Sequence, residues 1–405
     1  MWACVYSGCA AASAQVLPAG PVAFADGHVT VSGDVSASFG SSDPGFFNYT
    51  DYEHSALRLV RINVAGAVKA NEHFALLADL QTENLDSVRP YALYARIRPW
   101  SARAIDIQIG RVPPTFGAFS RRWYASDNPL IGYPLGYQYL TTLRPDALPA
   151  NADELLQKRG RGWLLRYSIG DFSLAHGVPL VNDFRWDTGV QVHAATAGNG
   201  LSVTASVTAG SLSNPVLPDD NGGRQVATRV ETRPITGLVA GVSFARGAFL
   251  SDSAVIAATG STHASDFVQT GWGGDVEYSR DHFLLRVEAI DSGWEIPFCS
   301  ACEAARRVPA IDSPLRSFSW TAEGKYTIAT GLYAATRIGH VGFSEITGST
   351  GTLPWDAPVS RVEIGGGYAI QRNLLIKGSV QVNRRDGGVL LSRDTLGAMQ
   401  IVYWF

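Results

Sequence analysis

Charge is scarce in this chain. Asp, Glu, Lys and Arg make up 17% of its 405 residues, where a soluble domain carries ~25%. Long apolar runs are missing as well. No stretch approaches the roughly 18 consecutive apolar residues that a spanning helix needs. No basic stripe and no aromatic RNA-binding motif stands out, so nucleic acid is not a partner, and a formal net charge of −3 points to none. None of the 8 histidines forms an H-x-x-x-H pair, so no metal site is expected. No ATP motif or cofactor signature occurs, and no cofactor is expected. What the chain does hold is Gly, at 42 residues, and 46% hydrophobic residues. A chain short of charge and without a spanning helix is a large soluble β protein, or a membrane barrel whose apolar residues are spread by alternation.

Cysteine is limited to 4 residues. Cys4 and Cys9 fall in an apolar N-terminal stretch. There, Ala12-Ser13-Ala14 before Gln15 has the small-x-small form of an export-signal cleavage site. The basic start of such signals is missing, so residues 1–14 are read as a signal peptide that could be truncated; a disordered apolar tail is the alternative. Cys299 and Cys302, spaced C-x-x-C, lack a second pair with zinc-ligand spacing. A small disulfide in an oxidising compartment is the simplest reading.

Strict alternation dominates the rest. Leu201, Val203, Ala205 and Val207 interleave with Ser202, Thr204, Ser206 and Thr208; Ile376, Gly378, Val380 and Val382 interleave with Lys377, Ser379, Gln381 and Asn383. Successive strand residues point to opposite faces, so each segment has one apolar and one polar face. The segments are longer than the ~5–6 residues of soluble strands and match the ~9–11 of a tilted strand crossing a bilayer. The pattern predicts an all-β fold, an antiparallel up-and-down transmembrane barrel, after a short periplasmic segment 15–27. Strands are expected at 28–39, 56–67, 73–84, 89–98, 104–112, 160–169, 171–178, 186–197, 200–210, 224–233, 236–247, 266–279, 282–292, 316–328, 331–342, 358–370, 373–384 and 394–405. These make about 18 strands, or 16 if 171–178 and 224–233 are not strands.

Connections alternate short and long, as in a barrel with short periplasmic turns and long outer loops. All 20 prolines fall in loops, in turns or at strand ends on this reading, where a missing N–H is tolerated. Tyr167, Tyr278, Tyr326, Tyr368 and Tyr403, with Phe74, Phe172 and Phe283, take outward positions at one height. That is the placement of an interfacial aromatic girdle.

The last residues, Leu396 to Phe405, carry Ile401, Tyr403 and Phe405 on one face. This ending resembles the terminal strand of Gram-negative outer-membrane proteins, and the alternation over the whole mature chain resembles the porins. The resemblance implies a cell outer-membrane location, contact with outer-membrane lipid, reading of the last strand by the barrel-insertion machinery, and a homotrimer as the common assembly.

A barrel of this width holds an aqueous lumen. Inward positions are expected for Arg61, Arg96, Arg98, Arg166, Arg229, Arg286, Lys325, Arg337, Arg361 and Lys377, and for Asp79, Glu83, Asp106, Glu231, Asp275, Glu277, Glu288, Glu323 and Glu363. The two signs nearly cancel, which predicts weak ion selectivity unless they segregate; pairing that braces the wall is the plainer role. The loop 113–159 is far longer than ordinary connections. It carries Arg121, Arg122, Trp123, Tyr124, Asp127 and Arg144. Folded inward, it would form a constriction, with its arginines opposite wall carboxylates; folded outward, it would be an extracellular cap.

The function expected is passive diffusion of small polar solutes, with no enzymatic activity. A non-conducting barrel with a structural or surface-binding role is the alternative. An outer-membrane enzyme is a third reading, but His193 among small hydroxyl residues forms no defensible catalytic set. Gly-Ser-Thr-Gly at 348–351 lacks the strand-to-helix setting of a hydrolase elbow.

Overall fold

A computed structural model describes residues 18, 20–49, 54–100, 104–122, 124–196, 198, 200–217, 219–260, 263–297, 311, 314–388 and 390–405. The signal-like stretch 1–14, Trp123 and the Cys299/Cys302 pair lie outside the described residues.

The alternating segments form 16 antiparallel strands in one closed ring. They are β1 Val29–Gly40, β2 Val60–Lys69, β3 Phe74–Glu83, β4 Val88–Ile97, β5 Ile105–Val112, β6 Asp187–Ala195, β7 Leu201–Thr208 and β8 Gln225–Ile235. There follow β9 Leu238–Ala248, β10 Val268–Arg280, β11 Phe283–Trp294, β12 Leu315–Ala329, β13 Leu332–Phe343, β14 Val359–Gln371, β15 Leu374–Arg385 and β16 Arg393–Trp404. Each strand pairs with its chain neighbours, and β1 closes on β16 with Asp34 opposite Trp404 and Gly40 opposite Ala398. Closure leaves the wall without a free sheet edge, which a lipid solvent demands. Pro90 and Pro234 sit where the ladder shifts register, so neither removes a needed donor.

The outward face is apolar and exposed: Val64, Leu80, Val242, Val287, Ile364 and Val380 are among its residues. Tyr326 and Phe283 pair directly across β11 and β12 near the short turns, and Phe74, Tyr278, Tyr368 and Tyr403 also end wall strands there. At the opposite rim Phe39, Trp272 and Phe318 are exposed, and Trp272 packs on Phe244 with ring centroids 4.6 Å apart. Two aromatic belts bounding an apolar band are the surface of a bilayer-spanning barrel.

At the short-turn end, Phe405 and Gly33 exchange backbone hydrogen bonds of 2.9 and 3.0 Å. The short strand Val22–Phe24 pairs with Val29–Val31 of β1, beside the point where β16 stops. A Cβ on Gly33 would lie 2.6 Å from the Phe405 ring. Gly33→Val is therefore expected to force that ring off the closing seam and lower the yield of heat-resistant barrel on refolding. An unchanged yield would show that Phe405 is not packed there.

Two expected strands, 160–169 and 171–178, are not in the wall. They form an irregular hairpin inside it, with Leu165 bridged to Ala175 and Ile169–Gly170 paired to Ala147–Leu148. Segment 224–233, the other weaker expectation, is a wall strand (β8). The apolar positions of 160–169 alternate because Leu165, Tyr167 and Ile169 face a buried protein core rather than lipid. Tyr167 and Phe172 thus leave the girdle, and Arg166 is not a wall residue.

Candidate functional site

The connection between β5 and β6 runs over the whole of 113–186, and it enters the barrel. It includes α1 Leu135–Gln138 and α2 Ala152–Gln157. Polar bonds tie it to strands all round the ring. Ser126 N–H donates to Asp34 on β1 (3.1 Å), and Thr115 donates to Ser206 on β7 (2.8 Å). Gly117 N–H reaches Ser243 on β9 (3.1 Å), Ala118 N–H reaches Glu288 on β11 (2.7 Å), and Gly132 N–H reaches Glu363 on β14 (3.0 Å). The Tyr124 hydroxyl donates to Asp79 on β3. Between the insert and the wall lie cavities of about 30 and 20 Å³, one beside Pro113 to Phe116 and one beside Phe119 and Arg122, and a more open cleft of about 480 Å³ runs beside Arg185 with Arg89, Pro90 and Arg111.

Three wall cations hold the middle of the insert. Lys377 donates to the carbonyls of Ala125, Asn128 and Leu130 at 2.8, 2.8 and 3.1 Å. Arg337 donates to Gly132 O and Asn128 Oδ1, both at 2.6 Å. Arg361 donates to Tyr133 O (3.1 Å), Gln138 Oε1 (3.0 Å) and Phe47 O (2.6 Å). A cation bonded to main-chain carbonyls satisfies groups that burial would otherwise strand.

The other wall charges pair with each other. Arg61 bonds Glu83 at 2.5 Å and also the Tyr133 hydroxyl of the insert. Arg229 grips Asp275 with two bonds of 2.6 and 2.9 Å, and lies 3.5 Å from Glu231. Arg286 joins Glu277 (2.8 Å) to Glu323 (2.9 Å), and Arg98 pairs with Asp106 at 3.0 Å. Lys325 lies 4.3 Å over the Tyr333 ring, and Arg96 is half-buried on the inner face of β4.

Of the loop residues singled out, Arg122 faces Glu277 at 3.6 Å, and Asp127 is exposed. Arg121 lies in a single helical turn, Phe119–Arg122. Arg144 does not reach the wall. It pairs with Asp146 through two 2.8 Å bonds and caps Leu165 O (3.0 Å) and Ser173 O (2.6 Å) inside the insert. A salt-bridge partner two residues away satisfies it locally, so no wall carboxylate is needed.

Toward the long-loop end the insert joins an apolar core with the outer loops. Tyr139, Leu155, Tyr167 and Leu180 pack there with Phe249, Val255, Trp294 and Trp355. The 348–351 segment forms the turn of a hairpin, Glu345–Gly348 with Gly351–Pro354, and Ser349 N–H donates to Asp153 in the first turn of α2 (2.7 Å). Asp356 is the polar anchor. Its carboxylate accepts from Thr142 N (2.9 Å), Gly160 N (2.7 Å) and Ala357 N (2.7 Å). Sequence reasoning missed it, since its partners lie some two hundred residues earlier in the chain.

Burial pushes the Asp356 carboxyl up to about 6, against the opposing pull of its N–H donors. The folded group therefore keeps its proton to a higher pH than an unfolded aspartate, whose ordinary value is 3.8. The stability it contributes is full below pH 3.8 and is lost as the pH rises through about 6. Melting in detergent across that window is expected to show this loss, and Asp356→Asn is expected to flatten it. Asp356→Ala strands three buried N–H groups at roughly 1–3 kcal/mol each, and should expose the insert to protease. A profile with the same slope in both proteins would contradict the assignment.

His193 on β6 bonds Thr204 at 2.9 Å. Among the described residues no group of three His, Cys, Asp or Glu side chains could hold a metal.

No family model and no curated protein matches the chain. Solved structures do. OmpT, an outer membrane protein of Vibrio cholerae, superposes with a TM-score of 0.53 at 10% identity, over 93% of this chain and 98% of its own. Salmonella typhi OmpF, in complex with daunomycin, gives 0.55 at 12% identity, over 95% and 100%. The anion-selective porin from Comamonas acidovorans gives 0.55 at 9% identity, over 93% and 99%. The Vibrio protein is also known in a trimer form, similar to this chain with a TM-score of 0.51 at 10% identity. The chain therefore shares the closed antiparallel β-barrel fold of these outer-membrane proteins.

Proposed function

We propose that the protein is a passive channel through which small hydrophilic solutes cross the outer membrane, with the 113–186 insert setting the passage, and that it is not an enzyme. The observation that carries this reading is the charged inner wall around a ring too wide for its own side chains to fill. At the depth of the apolar belt the insert is held to that wall by polar bonds, which water can replace. Arg96, Arg98, Asp106, Glu277 and Lys325 remain partly exposed inside the ring. A structural neighbour described as an anion-selective porin supports a channel on this fold. A homotrimer and insertion through recognition of Ile401, Tyr403 and Phe405 belong to the same proposal.

One observation favours a second reading, a non-conducting barrel with a surface role. The apolar core that joins the insert to the outer loops covers the mouth on that side. Swelling of proteoliposomes in neutral sugars separates the two. A channel admits small sugars and slows as sugar size rises; absence of swelling with the smallest polyols favours the second reading.

A further inference from the structure

Most of the wall cations described above meet a carboxylate or a carbonyl oxygen of the insert inside the ring. The long-loop rim is built differently on one side. Arg89 is the second residue of β4, Arg111 the last but one of β5, and Arg185 stands on the insert two residues before β6. These strands are neighbours in the ring, and the three arginines line one open cleft of about 480 Å³. Arg111 Nε donates to Trp186 O at 2.8 Å, and Arg89 Nε donates to Ser87 Oγ at 3.1 Å. A bond at Nε fixes the plane of a guanidinium and so directs its forked end. Arg111 and Arg185 are half-buried, and Arg89 is exposed.

The far side of the cleft is the loop between β7 and β8. It contributes Pro215, Val216 and Leu217 and one carboxylate, the exposed Asp220. The neighbouring Asp219 is taken by Arg224 at 2.5 Å. Among the described residues the lining thus sets three positive groups against one negative. Like charges gathered around one space repel, and an anion entering it relieves the repulsion. A cleft dominated by one sign also concentrates its counter-ions. A guanidinium fork matches the oxygens of a phosphate in pairs. The cleft is larger than a bare ion fills and has the size of a site for a small organic ligand.

We propose that this rim cleft binds a phosphate monoester. Arg89, Arg111 and Arg185 take the phosphate, and the apolar 215–217 side takes the organic part that carries it. The same recognition serves a dissolved phosphate ester and the headgroup of a membrane lipid. The site stands whether or not the barrel conducts.

Titration calorimetry on the refolded full chain in a non-ionic detergent is the test. The probes are glycerol phosphate, and phosphatidic acid dispersed in the same micelles. Glycerol and phosphatidylcholine are their controls without the monoester. The expected result is saturable binding of a monoester probe and none of its control. Arg111→Gln and Arg185→Gln are each expected to weaken binding roughly tenfold or more, and Asp220→Asn to strengthen it. Binding of glycerol phosphate assigns a dissolved source, and binding of phosphatidic acid alone assigns a lipid one. Gel mobility without heating shows that each variant is folded. No binding of either probe, equal binding of probe and control, or monoester binding that all three substitutions leave unchanged would overturn the inference. None of these outcomes touches the channel reading.

Discussion

Replacing Arg337 with alanine is expected to loosen the insert and widen the passage. The guanidinium reaches Gly132 O and Asn128 Oδ1 at 2.6 Å on the insert, and Glu323 at 2.5 Å on the neighbouring strand. It is 2% exposed, and Glu363, which it also approaches, is fully buried. Truncation removes the cationic partner of Glu363 and one of the two cations on Glu323, which keeps Arg286, and takes a donor from two acceptors of the insert. Breaking a buried pair by removing one partner costs about 3–5 kcal/mol. The barrel wall is secured by its closed ladder, so the loss falls on the contact between insert and wall. Arg337→Ala should therefore keep a folded barrel in detergent, melt lower, and give larger, noisier currents than the parent. Arg337→Lys should recover only part of the effect, because an ammonium cannot reproduce the fork that bonds both sides. Identical currents in parent and alanine variant would mean that segment 128–132 does not border the passage.

Ile364→Arg is expected to be the most damaging single change on the outer wall. Ile364 lies midway along β14, on the outward face, and is 62% exposed. In water such exposure would make a charge harmless. In a bilayer, an arginine at midplane costs roughly 2–4 kcal/mol. Its neighbour Glu363 points inward, so the parity of one residue decides between lipid and lumen. Folding into lipid vesicles, followed by gel mobility without heating, should show a clear loss for Ile364→Arg and little for Ser360→Arg, nearer the outer rim. Equal tolerance at both sites would contradict the placement of the belt.

Much of the wall was legible because lipid imposes a rule on every strand. Val362, Ile364 and Tyr368 had to alternate with Arg361 and Glu363 whatever the loops did, so strand positions, inward charges and six of the eight girdle aromatics could be read locally. The second girdle, with Phe39, Trp272 and Phe318, carried the same signal at the other strand ends and was overlooked.

The insert was legible only in part. Its start at Pro113 and its content of Arg and Tyr stood out, but its true extent to residue 186 did not. Leu165, Tyr167 and Ile169 alternate as a lipid-facing strand would, and periodicity does not tell lipid from a protein core. Nor does local sequence carry contacts as distant as Lys377 with Ala125, or Asp356 with Thr142. These depend on which wall strand the insert passes, and that is set by closure of the whole ring.

In the proposed channel, water and small ions pass between the insert and the wall, and single-channel recording of the refolded protein in a planar bilayer reads that passage. Stable ohmic steps are expected in the parent, and larger steps once Arg337→Ala frees the insert. A detergent-stable barrel that stays silent in both forms would contradict it.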